Sequence, residues 1–131
     1  MIKFFSNNKI FFYSINISLI FLYLFPGSLI GQVIYGSKKI QPQITPDFII
    51  SSNHFYVFIF ISLIGLLTFK KKDHIRFLIK YLILLSIILE FLHLIIPERT
   101  FQLSDLFGNL TGVIVVILVR ILIRKYGFFK K

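Results

Sequence analysis

Cysteine, tryptophan and alanine are all missing from this chain. Without cysteine there is no disulfide framework and no thiolate nucleophile or thiolate metal ligand. The same absence does not fix a redox compartment. Acids are scarce: 5 Asp and Glu stand against 15 Lys and Arg. No Gly-rich phosphate loop, GxSxG, CxxC pair or HExxH occurs, which leaves the familiar motif-bearing enzyme classes without a foothold. A soluble basic face with stacking aromatics is missing too, because the aromatics lie inside apolar runs, so no nucleic-acid partner is expected.

What is present is apolar. Of 131 residues, 56% are hydrophobic, with a mean hydropathy of +0.86, above the ~45–50% apolar share of soluble domains. Ile, Phe and Lys abound, a bias of A/T-rich codon usage that argues against reading each of the 17 Phe singly. The chain has the length of one domain, and the expected class is an all-α integral membrane bundle of four transmembrane helices. The spans fall at about 10–25, 54–69, 77–96 and 106–123. Loops 26–53 and 97–105 join them on the outer side, and a basic turn around Lys70, Lys71, Lys72, His74 and Arg76 joins them inside.

Several local signals support these limits. Pro26-Gly27 closes span 1, and no A-x-A-like cleavage site follows, so the segment reads as a retained span rather than a signal peptide. Leu29 to Tyr35 is too short to cross and is expected in the interface. Pro97 stops span 3. Ser104 is the expected N-cap of span 4, with Asp105 at the positive end of its dipole. Of the 15 Lys and Arg residues, only Lys38, Lys39 and Arg99 fall on one side; the others, from Lys3 and Lys9 to Lys130 and Lys131, fall on the opposite side. By the positive-inside rule both termini are cytoplasmic, and the expected location is the bacterial cytoplasmic membrane, crossed several times.

The polar residues gather in 89–112, which holds three of the five acids: Glu90, Glu98 and Asp105. Ser86, Glu90, His93 and Pro97 share one helical face. Asp105, Asn109 and Gly112 share another, and Gly108 with Gly112 forms a small-xxx-small pair that lets helices approach closely. The two faces are expected to meet, with His54 at the same level and Arg99 capping the cluster. Ionisable groups inside a span are costly and point to function by default.

Three readings of this corner stand side by side. In the first, Glu90, Arg99, Asp105 and Asn109 satisfy one another and the corner is architectural, as in a structural or assembly subunit. In the second, His54, Arg99, Asp105 and Asn109 bind an anionic head group, since a guanidinium fork suits phosphate or carboxylate. In the third, Glu90 and His93 are the acid–base groups of an enzyme acting on a lipid or cell-wall precursor. One ExxH is too few ligands for a metal centre, so no metal and no cofactor is assigned. Oligomeric state stays open.

The spacing E-x-x-H-x-x-x-P-x-R-x-x-x-x-x-D-x-x-x-N-x-x-G runs through Glu90, His93, Pro97, Arg99, Asp105, Asn109 and Gly112, with His54 opening span 2. This pattern, over residues 54 to about 118, resembles the VanZ-like family of small bacterial membrane proteins, named for a teicoplanin-resistance determinant. The resemblance implies a cell-envelope role related to glycopeptide resistance, with membrane lipids and a lipid-linked or cell-wall precursor as partners. His93 stands where the family usually has Gln, and Ile50-Ser51 where it often has Asp-Lys.

Overall fold

A computed structural model describes residues 9–127. Lys3, Lys130 and Lys131, counted above in the charge asymmetry, lie outside the described residues. The described chain is all-helical, with five helices and no strand: α1 (Lys9–Leu24), α2 (Leu29–Tyr35), α3 (Ser52–Thr68), α4 (Lys72–Leu92) and α5 (Leu103–Tyr126).

Each boundary has a local cause. Pro26 and Gly27, the latter at φ 70°, turn the chain by 78° between α1 and α2. The Ser28 hydroxyl accepts from Gly31 N at 2.9 Å to open α2, and Gly36 closes it in the left-handed region at φ 67°. Gly127 closes α5 in the same way, with Arg124 and Lys125 in its last turn, where cations complement the helix dipole.

Several expected boundaries shift. Span 3 ends at Leu92, not Ile96, and begins at Lys72, so most of the basic turn is the first turn of α4. Beyond Leu92 the chain tightens: Leu94 N bonds Phe91 O and Ile95 N bonds Leu92 O, both at 3.1 Å and both three residues back. Pro97 disfavours α geometry before it, and its influence reaches further back than a single residue. Likewise α5 is capped by Gln102 rather than Ser104, which lies inside the helix.

The closest helix pairing is α3 with α5, then α4 with α5. Glycine permits the first. A Cβ on Gly108 would lie 2.7 Å from Ser51 O, and one on Gly112 would lie 2.6 Å from Phe55 O. The small-xxx-small face therefore meets α3, not α4 as the sequence pattern implied. Phe58, Ile61, Leu82, Leu89 and Val113 fill the centre. At one end Phe12 packs edge-on to Phe69, ring centroids 5.3 Å apart, beside the basic α3–α4 connection. His74 is exposed there, as expected, but within the first turn of α4 rather than in a loop.

By length and composition, one helix, α5, is long and apolar enough to cross a membrane, and α1 with α2 passes the same test only as a pair bent by 78°. α3 has 17 residues, and α4 carries Arg76, Lys80 and Glu90.

The α3–α5 contact generates a test. Gly112→Ala pushes a methyl group into rigid backbone and should cost about 1–3 kcal/mol by overpacking. Thermal unfolding of the purified protein in detergent should show a lowered midpoint, and an unchanged midpoint would mean that the helices are not this close.

Candidate functional site

The polar residues of four helices converge at the end of the bundle away from Lys70–Lys72. α3 opens there with His54, α4 closes there with Glu90 and His93, and α5 opens there with Asp105 and Asn109. Glu90 and Asn109 are fully buried, His93 is 2% exposed and His54 7%. Groups so enclosed must find partners within the protein.

The hub is Tyr23, near the end of α1. Its hydroxyl accepts from Asn109 Nδ2 at 2.6 Å and lies 2.5 Å from His54 Nδ1, with Glu90 Oε2 at 3.2 Å and Asn109 Oδ1 at 3.0 Å. A hydroxyl carries one proton, so it donates to one of His54 Nδ1, Glu90 Oε2 and Asn109 Oδ1 at a time. The other ring nitrogen, His54 Nε2, faces Asp105 Oδ2 at 3.4 Å. Asn109 also donates to Ser86 O at 3.1 Å, tying α5 to α4.

His93 continues the network. Its ring stacks on Tyr23 with centroids 4.9 Å apart, and Nε2 donates to Tyr23 O at 3.1 Å, since a carbonyl only accepts. Nδ1 then faces Glu90 Oε2 at 3.4 Å. The other oxygen, Glu90 Oε1, accepts from Gln102 N at 2.9 Å and so caps the start of α5. A carboxylate from α4 thus does the work expected of Ser104, whose hydroxyl instead lies 3.3 Å from Asp105 Oδ1.

Arg99 does not join this network. Glu98 takes φ 61°, in the left-handed region, as the chain reverses after Pro97. The Arg99 side chain then reaches α1, where Nε donates to Phe25 O at 3.1 Å. Its remaining contacts are longer, to Gln41 Oε1 at 3.4 Å and Leu22 O at 3.5 Å. It holds the carbonyls at the C-terminal end of α1, a favourable place for a cation. The expected Arg99–carboxylate network is thereby replaced by histidine–carboxylate pairs. Burial pushes the Arg99 guanidinium down from its ordinary value while Tyr23, Asp105 and Glu90 oppose this; it stays charged, as guanidinium groups do in proteins.

Two cavities border the site. One of about 510 Å³ has Tyr23, His54, His93 and Arg99 at one end and apolar walls beyond. A second, of about 380 Å³, includes Lys38, Lys39 and Glu98. Ser28, Gln41 and Arg99 line both. Gln41 to Ile44 roof the larger cavity. They are held down on α3 by Asn53, which donates to Pro42 O at 2.7 Å and accepts from Ile44 N at 2.9 Å. Neither Glu90, Asp105 nor Asn109 lines either cavity.

Chemically, the arrangement puts exchangeable protons of Tyr23, His54 and His93 on a cavity wall and a fixed cation at its mouth. The donor atoms of His54, Glu90 and Asp105 lie within 4.8 Å of one another, an imidazole and two carboxylates of the kind that hold zinc-like ions. Sequence reasoning assigned no metal because His93, not His54, was paired with Glu90 in the ligand count.

Tyr23 is the site residue that sequence reasoning missed. Its signal was slight: one hydroxyl, at the end of span 1, level with His54 and His93. Asn16 and Tyr81, which bond at 2.7 Å between α1 and α4, were missed for the same reason. The two tyrosines give a comparison. Tyr23→Phe strips three buried groups of a shared partner and should cost about 2–3 kcal/mol, whereas Tyr81→Phe, which strips one, should cost about 1. Unfolding midpoints of both variants check the order; a Tyr23→Phe midpoint equal to wild type would refute the hub.

No family model, no curated protein and no solved structure matches this chain.

Proposed function

We propose that this is a multi-pass protein of the bacterial cytoplasmic membrane, a four-span bundle with both termini inside, that holds an anionic envelope component at its outer polar corner. The observation that carries the binding role is Arg99 placed where a basic cavity and an apolar one meet. Membrane residence is supported by inverted polarity among the described residues. Asn16, Ser62, Ser86, Glu90 and Asn109 are inside, while far more large apolar side chains are exposed than buried. Such a surface has no place in water. The short helices α1 and α3 reach about 24–26 Å by helix rise, and α2 with the roof segment thickens the outer end.

The VanZ-like resemblance agrees with this reading in kind, a small envelope protein related to glycopeptide resistance, whose partners are membrane lipids and a lipid-linked or cell-wall precursor. The corner divides between two tasks. Glu90 and Asn109, fully buried and bonded on several sides, lock the helices. Arg99, His54 and His93 border the cavity and meet the ligand.

Topology is testable directly because the chain is cysteine-free. Gln43→Cys and Thr100→Cys should react with a membrane-impermeant maleimide in intact spheroplasts, and Lys71→Cys only after permeabilisation. Any other pattern would sink the four-span reading. Binding is tested through Arg99→Gln, which keeps an N–H donor for the α1 carbonyls but removes the charge. A sensitive host expressing the wild type should gain lipoglycopeptide protection that Arg99→Gln loses at equal membrane abundance. Equal protection by both would exclude the charge from the function.

A further inference from the structure

The larger cavity has a direction. It runs down α1 past Ile15, Leu19 and Leu22, and Val57 and Phe60 of α3 face it. Ile15 to Leu22 spans two helical turns, about 10 Å of rise parallel to the bundle axis. Leu22 and Phe60 are also exposed on the outside of the bundle, at 38% and 55%, so the trough has an apolar rim. Most of its polar groups gather at the end where Tyr23, His54, His93 and Arg99 stand, with the Ser18 hydroxyl further down α1.

The smaller cavity sits beyond that end and has the opposite character. Lys38, Lys39 and Arg99 line it against a single acid, Glu98. Lys38 also stands over the Phe25 ring at 5.4 Å, which fixes its stem beside the cavity. The Ser28 hydroxyl accepts from Gly31 N, so its own proton is left to donate. Arg99 uses Nε on Phe25 O, and its two terminal nitrogens make only the long contacts of 3.4 and 3.5 Å. They retain donor capacity toward an anion.

An apolar trough along the helix axes, sharing Ser28, Gln41 and Arg99 as lining with a cationic chamber at the outer end, has the polarity profile of a lipid standing in the outer leaflet. We infer that the two cavities together hold one anionic phospholipid, its phosphate between Arg99, Lys38 and Lys39 and an acyl chain in the trough against Leu19, Val57 and Phe60. This rests on the membrane placement proposed above and names the ligand class of the same site. A free phosphate would use the chamber alone and leave the trough without purpose. A zwitterionic head group would bring its ammonium among three cations with only Glu98 to meet it.

The probes are phosphatidylglycerol and phosphatidylcholine, offered in equal amounts to the full-length protein in detergent micelles, with retained lipid read by native mass spectrometry. Wild type should retain phosphatidylglycerol over phosphatidylcholine by about tenfold, the scale of one charge-assisted hydrogen bond. Two variants probe the two chambers. Lys38→Gln with Lys39→Gln alters exposed side chains and should remove the preference for phosphatidylglycerol. Leu19→Trp fills the trough and should reduce retention of both lipids, with a wild-type elution volume showing that the bundle is intact. Inorganic phosphate should not displace the lipid at equal concentration. Equal retention of the two lipids by wild type would overturn the cationic chamber as the selector. Undiminished phosphatidylglycerol retention by Leu19→Trp, with displacement by phosphate, would reduce the site to one for a soluble anion and overturn the lipid. If the maleimide pattern holds while lipid selectivity fails, only this inference falls; if the pattern fails, the membrane placement falls first.

Discussion

A hydroxyl buried among apolar helices must be satisfied by other helices, and the Tyr23 hydroxyl meets three of them. It meets His54 on α3, Glu90 on α4 and Asn109 on α5, so the register of α1 against the other helices is set at one atom. Oily side chains alone hold helices together without choosing a register, since one Leu or Phe contact is much like another. A polar group has few acceptable positions, and slippage by one residue would strand Tyr23, Asn109 and Glu90 together. The glycine contact between α3 and α5 supplies closeness, and the polar knot supplies alignment.

Arg99 couples that framework to the cavities. By holding Phe25 O it ends α1 and aims the chain into the α2 turn, and the same guanidinium walls both cavities. A residue with this double duty explains why the loop after Pro97 takes a strained conformation at Glu98: the reversal delivers Arg99 across the bundle to α1. The segment 37–51 is irregular yet tied down, with Ser28 N on Lys38 O at 2.8 Å and Ser52 N on Asp47 Oδ1 at 2.7 Å. Asp47 thereby stabilises the start of α3, and the cavity keeps its roof without a regular element.

Much of the corner was legible in the residues themselves. Glu90, His93, Asp105, Asn109 and His54 are conspicuous because each is a polar residue in or beside an apolar run, and helical spacing placed them on facing surfaces. Arg99 was legible as part of the corner but not in its contacts, because the direction of a side chain on a loop depends on backbone angles that no periodicity encodes. The N-cap of α5 shows the same limit. Ser104 has the right chemistry, but Glu90, twelve residues earlier in the chain, reaches Gln102 N because α4 and α5 are packed together. Tyr23 was hidden by composition, since in a chain with 17 Phe and 6 Tyr a single aromatic near a helix end draws no notice.

The sequence by itself determined the all-helical class, the approximate helix positions, the asymmetry of charge between the two ends and the gathering of acids and histidines at one of them. These follow from local quantities: apolar run length, proline and glycine placement, and spacing along a single helix. Only the tertiary structure decided that Gly108 and Gly112 serve α3, that Tyr23 is the hub, that His54 and not Arg99 faces Asp105, and that a basic cavity and a largely apolar one share Arg99 as a wall. Those are relations between segments far apart in the chain. They are set by which helix faces can approach closely while meeting the buried polar groups, Ser62 Oγ being the one left unmet among the described residues, a condition that exists only once all the helices are in place.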